Sequence, residues 1–237
     1  MPDHTVTAYD QELKGLTLHI AEMGGLAEGL VADAITALVR GDMVLAQKVI
    51  LTDQRLDALQ RQVEEQAIRV IARRQPMAVD LRQVFASLRI SGDLERVGDL
   101  AKSIAKRVVA MGGAVQIKRV VIGVEHLAEI ALEQLKAVLD AHTGGDDGAA
   151  LKVRERDEQI DALYTSLFRE LLTYMMEDPR NITFCTHLLF CAKNVERIGD
   201  HATNIAEAVH YALTGHPVTD ERPKSNDAHQ LIVGETP

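Results

Sequence analysis

Tryptophan is absent from this 237-residue chain, aromatic residues make up 3% of it, and proline occurs six times. Three of those prolines (Pro217, Pro223 and Pro237) stand near the C-terminus, so the rest of the chain has few enforced breaks. There is no apolar run of 18 or more residues, which excludes a hydrophobic membrane span. Met1-Pro2-Asp3-His4 lacks the basic and apolar parts of a signal peptide, and the chain reads as soluble and cytoplasmic. Basic excess is also missing: 26 Lys and Arg against 35 Asp and Glu give a formal charge of −9, which argues against a nucleic-acid-binding surface. Neither a Gly-x-x-x-x-Gly-Lys-Ser/Thr loop nor a kinase-type glycine loop is present, which argues against nucleotide chemistry. The only two cysteines, Cys185 and Cys191, lie six apart in a helical stretch. They fall on nearly opposite faces and read as unbridged core thiols.

What remains is a helix-forming composition that is 46% hydrophobic, enough for one sizeable core or two smaller ones. Periodicity predicts six long helices: about Tyr9 to Arg40, Met43 to Arg74, Val79 to Met111, Val115 to His142, Ala149 to Glu177 and Ile182 to Leu213. In the first, Leu13, Leu16, Ile20, Met23, Ala27, Leu30, Ala34 and Leu38 recur at three- and four-residue steps. The turns are Gly41-Asp42, Gln75-Pro76, Gly112-Gly113, Thr143 to Asp146 and Asp178-Pro179.

The second half repeats the first. Leu94-Glu95-Arg96-Val97-Gly98-Asp99 returns 101 positions later as Val195-Glu196-Arg197-Ile198-Gly199-Asp200. Leu26-Ala27-Glu28 matches Leu127-Ala128-Glu129 at the same offset. Asp53-Gln54-Arg55-Leu56-Asp57 matches Asp157-Glu158-Gln159-Ile160-Asp161 at an offset of 104, and the Thr143–Asp146 turn is the expected home of the three extra residues. The expected fold is therefore all-α: two tandem three-helix bundles spanning 8–113 and 114–214, then a loose polar tail over 215–237.

Each Glu-Arg-x-Gly-Asp copy sets two carboxylates at i and i+4, on one helix face, where like charges repel. Counting outward from the turns enlarges each pair. Asp57 and Glu95 lie 19 residues to either side of Pro76, and Asp53 and Asp99 lie 23. Around Pro179, Asp161 and Glu196 are 18 and 17 away, and Asp157 and Asp200 are 22 and 21. In an antiparallel hairpin such pairs stand at equal heights, so each bundle can gather four carboxylates. Four such groups need compensation: raised pKa values, arginines (Arg55, Arg96, Arg154, Arg197), or a metal. An all-oxygen set suits Mg²⁺ or Mn²⁺, with iron or zinc where the ligand geometry allows. Mid-helix Gly98 and Gly199 cost about 1 kcal/mol each against alanine, which points to close packing or to a ligand approaching the backbone. His126, His187, His201 and His210 read as surface or packed histidines.

Arg73-Arg74-Gln75-Pro76, Asp80-Leu81-Arg82 and Leu94 to Asp99 resemble the first half of the PhoU family. Tyr174 to Arg180, Val195 to His201 and Asn204-Ile205 resemble its second half, the match running from about residue 8 to 214. The resemblance implies a non-enzymatic, cytoplasmic negative regulator of phosphate uptake and of the phosphate-starvation response. It would link the ATPase subunit of a phosphate ABC transporter to a membrane sensor histidine kinase, as a homodimer. It also implies metal at the acidic motifs, nominating Asp53, Asp57, Glu95, Asp99, Asp157, Asp161, Glu196 and Asp200, with the metal's identity open. Arg74, Arg82, Arg96 and Arg197 become candidates for partner contact. Asn194 stands where Asp93 does, so the two sites need not be equivalent. Two alternatives stay open: a di-iron carboxylate oxidase, for which Glu207-Ala208-Val209-His210 is the only Glu-x-x-His motif, and a purely structural helical protein.

Overall fold

The computed structural model of the chain describes residues 3–113 and 117–219. Among them no strand forms. Helices α1 (Asp3–Arg40), α2 (Met43–Arg74) and α3 (Ala78–Ala110) make the first repeat. The second is α4 (Lys118–Gly144), α5 (Asp147–Glu155), α6 (Asp157–Glu177) and α7 (Ile182–Thr214), with a 3-10 turn, Pro179–Asn181, ahead of α7. Part of the segment foreseen to open the fourth helix, residues 114–116, and most of the expected loose tail, 220–237, lie outside the described residues.

The turns follow from local chemistry, and they repeat. Gly41 takes φ 66° and Gly145 φ 65°, a conformation that glycine adopts without a Cβ penalty. The next residue then caps the following helix. Asp42 accepts from the Val44 and Leu45 amides, and Asp146 accepts from that of Ala149. The three extra residues of the second repeat do not loop out. They prolong α4 to Gly144, because a helical turn satisfies their backbone groups internally.

The fifth helix departs from expectation by breaking at Arg156. Neither proline nor glycine marks the place; tertiary contacts override propensity. Arg156 sits at φ −88°, ψ −1°, and its amide and that of Gln159 bond three residues back rather than four. Fully buried Gln134 of α4 donates to the Arg156 carbonyl at 2.9 Å, and Arg156 itself reaches Glu133 at 3.3 Å.

One continuous apolar core runs through both repeats. The side chains read as the inner stripe of α1 line it, together with Leu56, Ile90, Leu94 and Ile104 from the first repeat and Leu127, Leu135, Ile160, Leu171 and Leu188 from the second. Each such leucine or isoleucine contributes about 1.5–3 kcal/mol on burial. The central helices α3 and α7 run antiparallel: Phe85 stacks edge-on against Tyr211, Ser103 meets Asn194, and the Arg107 guanidinium lies 4.1 Å over Phe190. Numbers rise along one helix as they fall along the other, so a pseudo-twofold relates the repeats and places Gly98 and Gly199 at one height. Cys185 and Cys191 are buried free thiols, and burial pushes the Cys191 thiol up to about 12.

Candidate functional site

Helices α2 and α3 present the first acidic cluster. Asp53 points into their interface and is 1% exposed, whereas Asp57, Glu95 and Asp99 stand at its rim. Lys102, one turn beyond Asp99, brings its Nζ to 2.6 Å from Asp53 Oδ2 and 3.5 Å from Asp99 Oδ1. Burial pushes the Asp53 carboxyl up while Lys102 pulls it back, and the charges of Asp57 and Asp99 add to the rise. Its hydrogen bond to Asp53 holds the Lys102 ammonium above the usual lysine value. Burial, followed by the charge of Asp99, raises Glu95. Arg96 bridges Glu95 at 3.4 Å and Asp99 at 3.5 Å. The carboxylates of the two helices thus meet at one level, held together by a lysine and an arginine.

The second cluster, on α6 and α7, is compensated differently. Asp157 is 3% exposed and accepts from Thr203 Oγ1 at 3.1 Å. Thr203 stands 101 positions after Lys102, so a neutral hydroxyl replaces the ammonium. Lys193 holds Glu196 Oε1 at 2.6 Å, but it does so from the exposed side of α7, and Glu196 Oε2 is buried without a hydrogen-bond partner. Burial raises the Glu196 carboxyl, and the charges of Asp200 and Asp161 raise it further against the pull of Lys193.

These donor sets differ in their fit to a metal. Among the described residues no three Asp, Glu, His or Cys side chains already converge as a cage. In the first cluster a cation's place between Asp53 and Asp99 is taken by the Lys102 ammonium. In the second, Glu196 Oε2 is a buried carboxylate oxygen without a hydrogen-bond partner, the kind of group a hard cation satisfies.

The glycines inside both motifs serve packing. A methyl on Gly98 would collide with Leu56, and one on Gly199 would come within 2.6 Å of Ile160 Cδ1. Of the arginines, Arg74 is committed to Glu12 through two bonds of 2.9 Å, and Arg82 donates to the Ala212 carbonyl at 3.4 Å. Arg96 and Arg197 remain exposed beside the clusters. Arg154 pairs with Glu207 at 3.5 Å, and His210 meets Asp147 at 2.7 Å, so the Glu-x-x-His residues turn to separate partners.

A polar seam across α3 and α7 was not anticipated. Asp93 accepts from Asn204 at 3.2 Å and meets His201 Nδ1 at 2.8 Å, while Asn194 donates to Ser103 at 3.1 Å. Asp93 and Asn194, like Ser103 and Asn204, are 101 positions apart, so the two bonds are pseudo-symmetric copies that tie the repeats together. The substitution of Asn194 for Asp93 was the available signal. Lys102 was equally visible as a lysine aligned with a threonine.

Comparison with known proteins follows the same division. The PhoU domain matches residues 20–108 and 124–209, once in each repeat. The phosphate-specific transport system accessory protein PhoU homolog of Rhizobium meliloti is 61% identical over 223 residues, covering 94% of each chain. The like-named protein of Caulobacter vibrioides is 53% identical over 224 residues, 94% of this chain and 97% of its own. Among solved structures, PhoU from Pseudomonas aeruginosa superposes with a TM-score of 0.84 at 38% identity, over 88% of this chain and all of that one. The phosphate transport system regulatory protein PhoU from Streptococcus pneumoniae gives 0.81 at 28% identity, over 90% and all. With the doubled motif, the doubled helical unit and the doubled domain match all in the same register, the chain belongs to the PhoU family.

Proposed function

We propose that this chain is a non-enzymatic regulator of phosphate transport that restrains uptake and the phosphate-starvation response. The observation that carries the reading is the 61% identity, over 94% of both chains, to a protein named for the phosphate-specific transport system. In this reading the chain joins the ATPase subunit of a phosphate ABC transporter to a membrane sensor histidine kinase, and works as a homodimer in the cytoplasm. The absence, among the described residues, of any helix long and apolar enough to cross a membrane is consistent with a peripheral adaptor. Exposed Arg96 and Arg197, flanking acidic clusters, offer surfaces of mixed charge for docking. A metal held by Asp157, Asp161, Glu196 and Asp200 would neutralise the second cluster and stiffen the contact of α6 with α7.

The test is genetic. A host lacking this gene, grown in ample phosphate, should express a phosphate-starvation reporter that is normally silent, and the wild-type chain should silence it again. A reporter that stays silent without the gene refutes the regulatory reading. Co-purification should recover the transporter ATPase and the kinase, and failure to recover either removes that partner from the scheme.

A further inference from the structure

Two departures from the internal repeat meet at one place in the molecule. The first is the three-residue excess of the second repeat, which prolongs α4 to Gly144. The second lies on α3, where Gln83, Ala86 and Ser87 stand 101 positions before Phe184, His187 and Leu188. Phe184 and Leu188 are buried and fill their end of the core. Their smaller counterparts leave space, and the added turn of α4 walls it with His142, Thr143 and Gly144. The result is a cavity of about 270 Å³ between α1, α3, α4 and α7. Ala212, on its α7 side, stands where the first repeat has Met111. The fold itself does not impose this cavity, because the equivalent positions carry bulk in the other half.

The walls define what can enter. Among the described residues no lysine, arginine, aspartate or glutamate lines the cavity, and burial holds His142 below the usual histidine value, so its ring is neutral. An ion would lose its water there without meeting a counter-charge, so neither phosphate nor a metal ion belongs inside. The lining is nevertheless not apolar throughout. Ser87 Oγ donates to the Gln83 carbonyl and Thr143 Oγ1 to the Leu139 carbonyl, each at 2.9 Å. What those hydroxyls have left is lone pairs, and α4 ends here with the carbonyls of its last turn. The polar groups therefore suit a hydrogen-bond donor, while Leu13, Leu16, Val209 and Leu213 suit the faces of a ring. Size narrows the choice further. A cavity of about 150 Å³ holds one benzene ring, so this one has room for two fused rings.

We propose that this cavity binds a neutral, bicyclic nitrogen heterocycle of the purine class, carried by a nucleoside or a nucleotide. The site is separate from the acidic clusters: eight residues of α3, about 12 Å of helix, part Ser87 from Glu95. It goes beyond the regulatory reading, which neither requires nor supplies it. Arg82 stands at the rim, donating to the carbonyl of Ala212 at 3.4 Å without lining the interior. The ring occupies the uncharged interior, and a phosphate attached to it stays outside, where that guanidinium can meet it.

The experiment is isothermal titration calorimetry of the full chain with adenine, adenosine, AMP, indole and inorganic phosphate. Adenine and adenosine should bind saturably, and inorganic phosphate should not displace them. Ser87→Leu and Ala212→Met place in the cavity the residues of the other repeat, and each should weaken adenosine roughly tenfold or more. Indole is close to adenine in size but has a single N–H, and should bind roughly tenfold more weakly than adenine or worse. AMP that binds tighter than adenosine, with the advantage lost in Arg82→Ala, identifies a nucleotide; equal affinities identify a nucleoside, and either supports the site. Absence of saturable binding by all three purines overturns the inference, as does displacement of adenosine by phosphate. Indole equal to adenine overturns it too, since the wall would then act as an apolar one. Undiminished binding by a folded Ser87→Leu or Ala212→Met protein places the ligand elsewhere and has the same consequence. If neither variant folds, an azido-adenosine photolabel on the wild-type chain decides: it must mark the segments of α1, α3, α4 and α7 that line the cavity, and labelling confined to other segments overturns the assignment.

Discussion

Replacing Gly199 by alanine sets two effects of known size against each other. In mid-helix the exchange gains about 1 kcal/mol in propensity. The new Cβ, however, would lie 2.6 Å from Ile160 Cδ1, in a part of the core where Ile160 is 1% exposed. Overpacking of that sort costs about 1–3 kcal/mol. The single variant should therefore be neutral to destabilising by up to about 2 kcal/mol. The offending atom is the terminal methyl alone, since the other near carbons, Cγ2 and Cγ1, are at 3.5 and 3.7 Å, ordinary contact distances. Ile160→Val removes that methyl for about 0.5–1.5 kcal/mol. On the valine background Gly199→Ala should thus change sign and stabilise by up to about 1 kcal/mol. Urea denaturation of the four proteins in this cycle measures the coupling directly. If Gly199→Ala costs the same with isoleucine or valine at 160, then close packing is not why glycine occupies this position.

Other perturbations probe the helix break, the buried acid and the end of the first bundle. Gln134→Ala strands the Arg156 carbonyl and opens a cavity, and should cost about 2–4 kcal/mol in urea denaturation. A loss below about 0.5 kcal/mol would mean that the break does not depend on this amide. Glu196 has a carboxyl raised in the fold, so its charged form opposes folding. In metal-free protein its contribution to stability is fully present below the ordinary glutamate value and lost as pH rises through the folded one. Glu196→Gln should therefore raise the melting temperature at neutral pH, and the gain should vanish in acid; a gain that persists in acid is not electrostatic. Glu12 shows the opposite sign, because its hydrogen bonds from Arg74 hold its carboxyl below the usual range. Arg74→Ala should lower the urea midpoint at neutral pH, and the deficit should close as pH falls through the folded value of Glu12; an equal deficit in acid would assign Arg74 a packing role.

The helices and the repeat were legible because periodic apolar residues and paired glycine–aspartate turns are local signals. The apolar stripe read on the first helix is the stripe that α1 buries. Equal counting from Pro76 and Pro179 gave the heights of the carboxylates, since rise per residue is fixed, but not their rotation. The structure turns Asp53 and Asp157 inward and leaves Asp57, Asp99, Asp161 and Asp200 at the rims. The break at Arg156 was invisible because its cause, the amide of Gln134, lies on another helix. His201 reads from sequence as a surface or packed histidine because its partner, Asp93, is 108 residues away in the other repeat.

The antiparallel seam of α3 with α7 has a consequence for how the chain folds. Each repeat covers the other's central helix, so neither half has a closed interior of its own, and the chain should unfold in one cooperative step rather than half by half. The pseudo-twofold also makes the halves interchangeable in principle. A first repeat made alone would meet its own copy with Asp93 facing the Ser103 hydroxyl, and a second repeat with Asn194 facing Asn204. Both pairings offer a donor to an acceptor, so the polar chemistry of this seam is compatible with either half meeting a copy of itself.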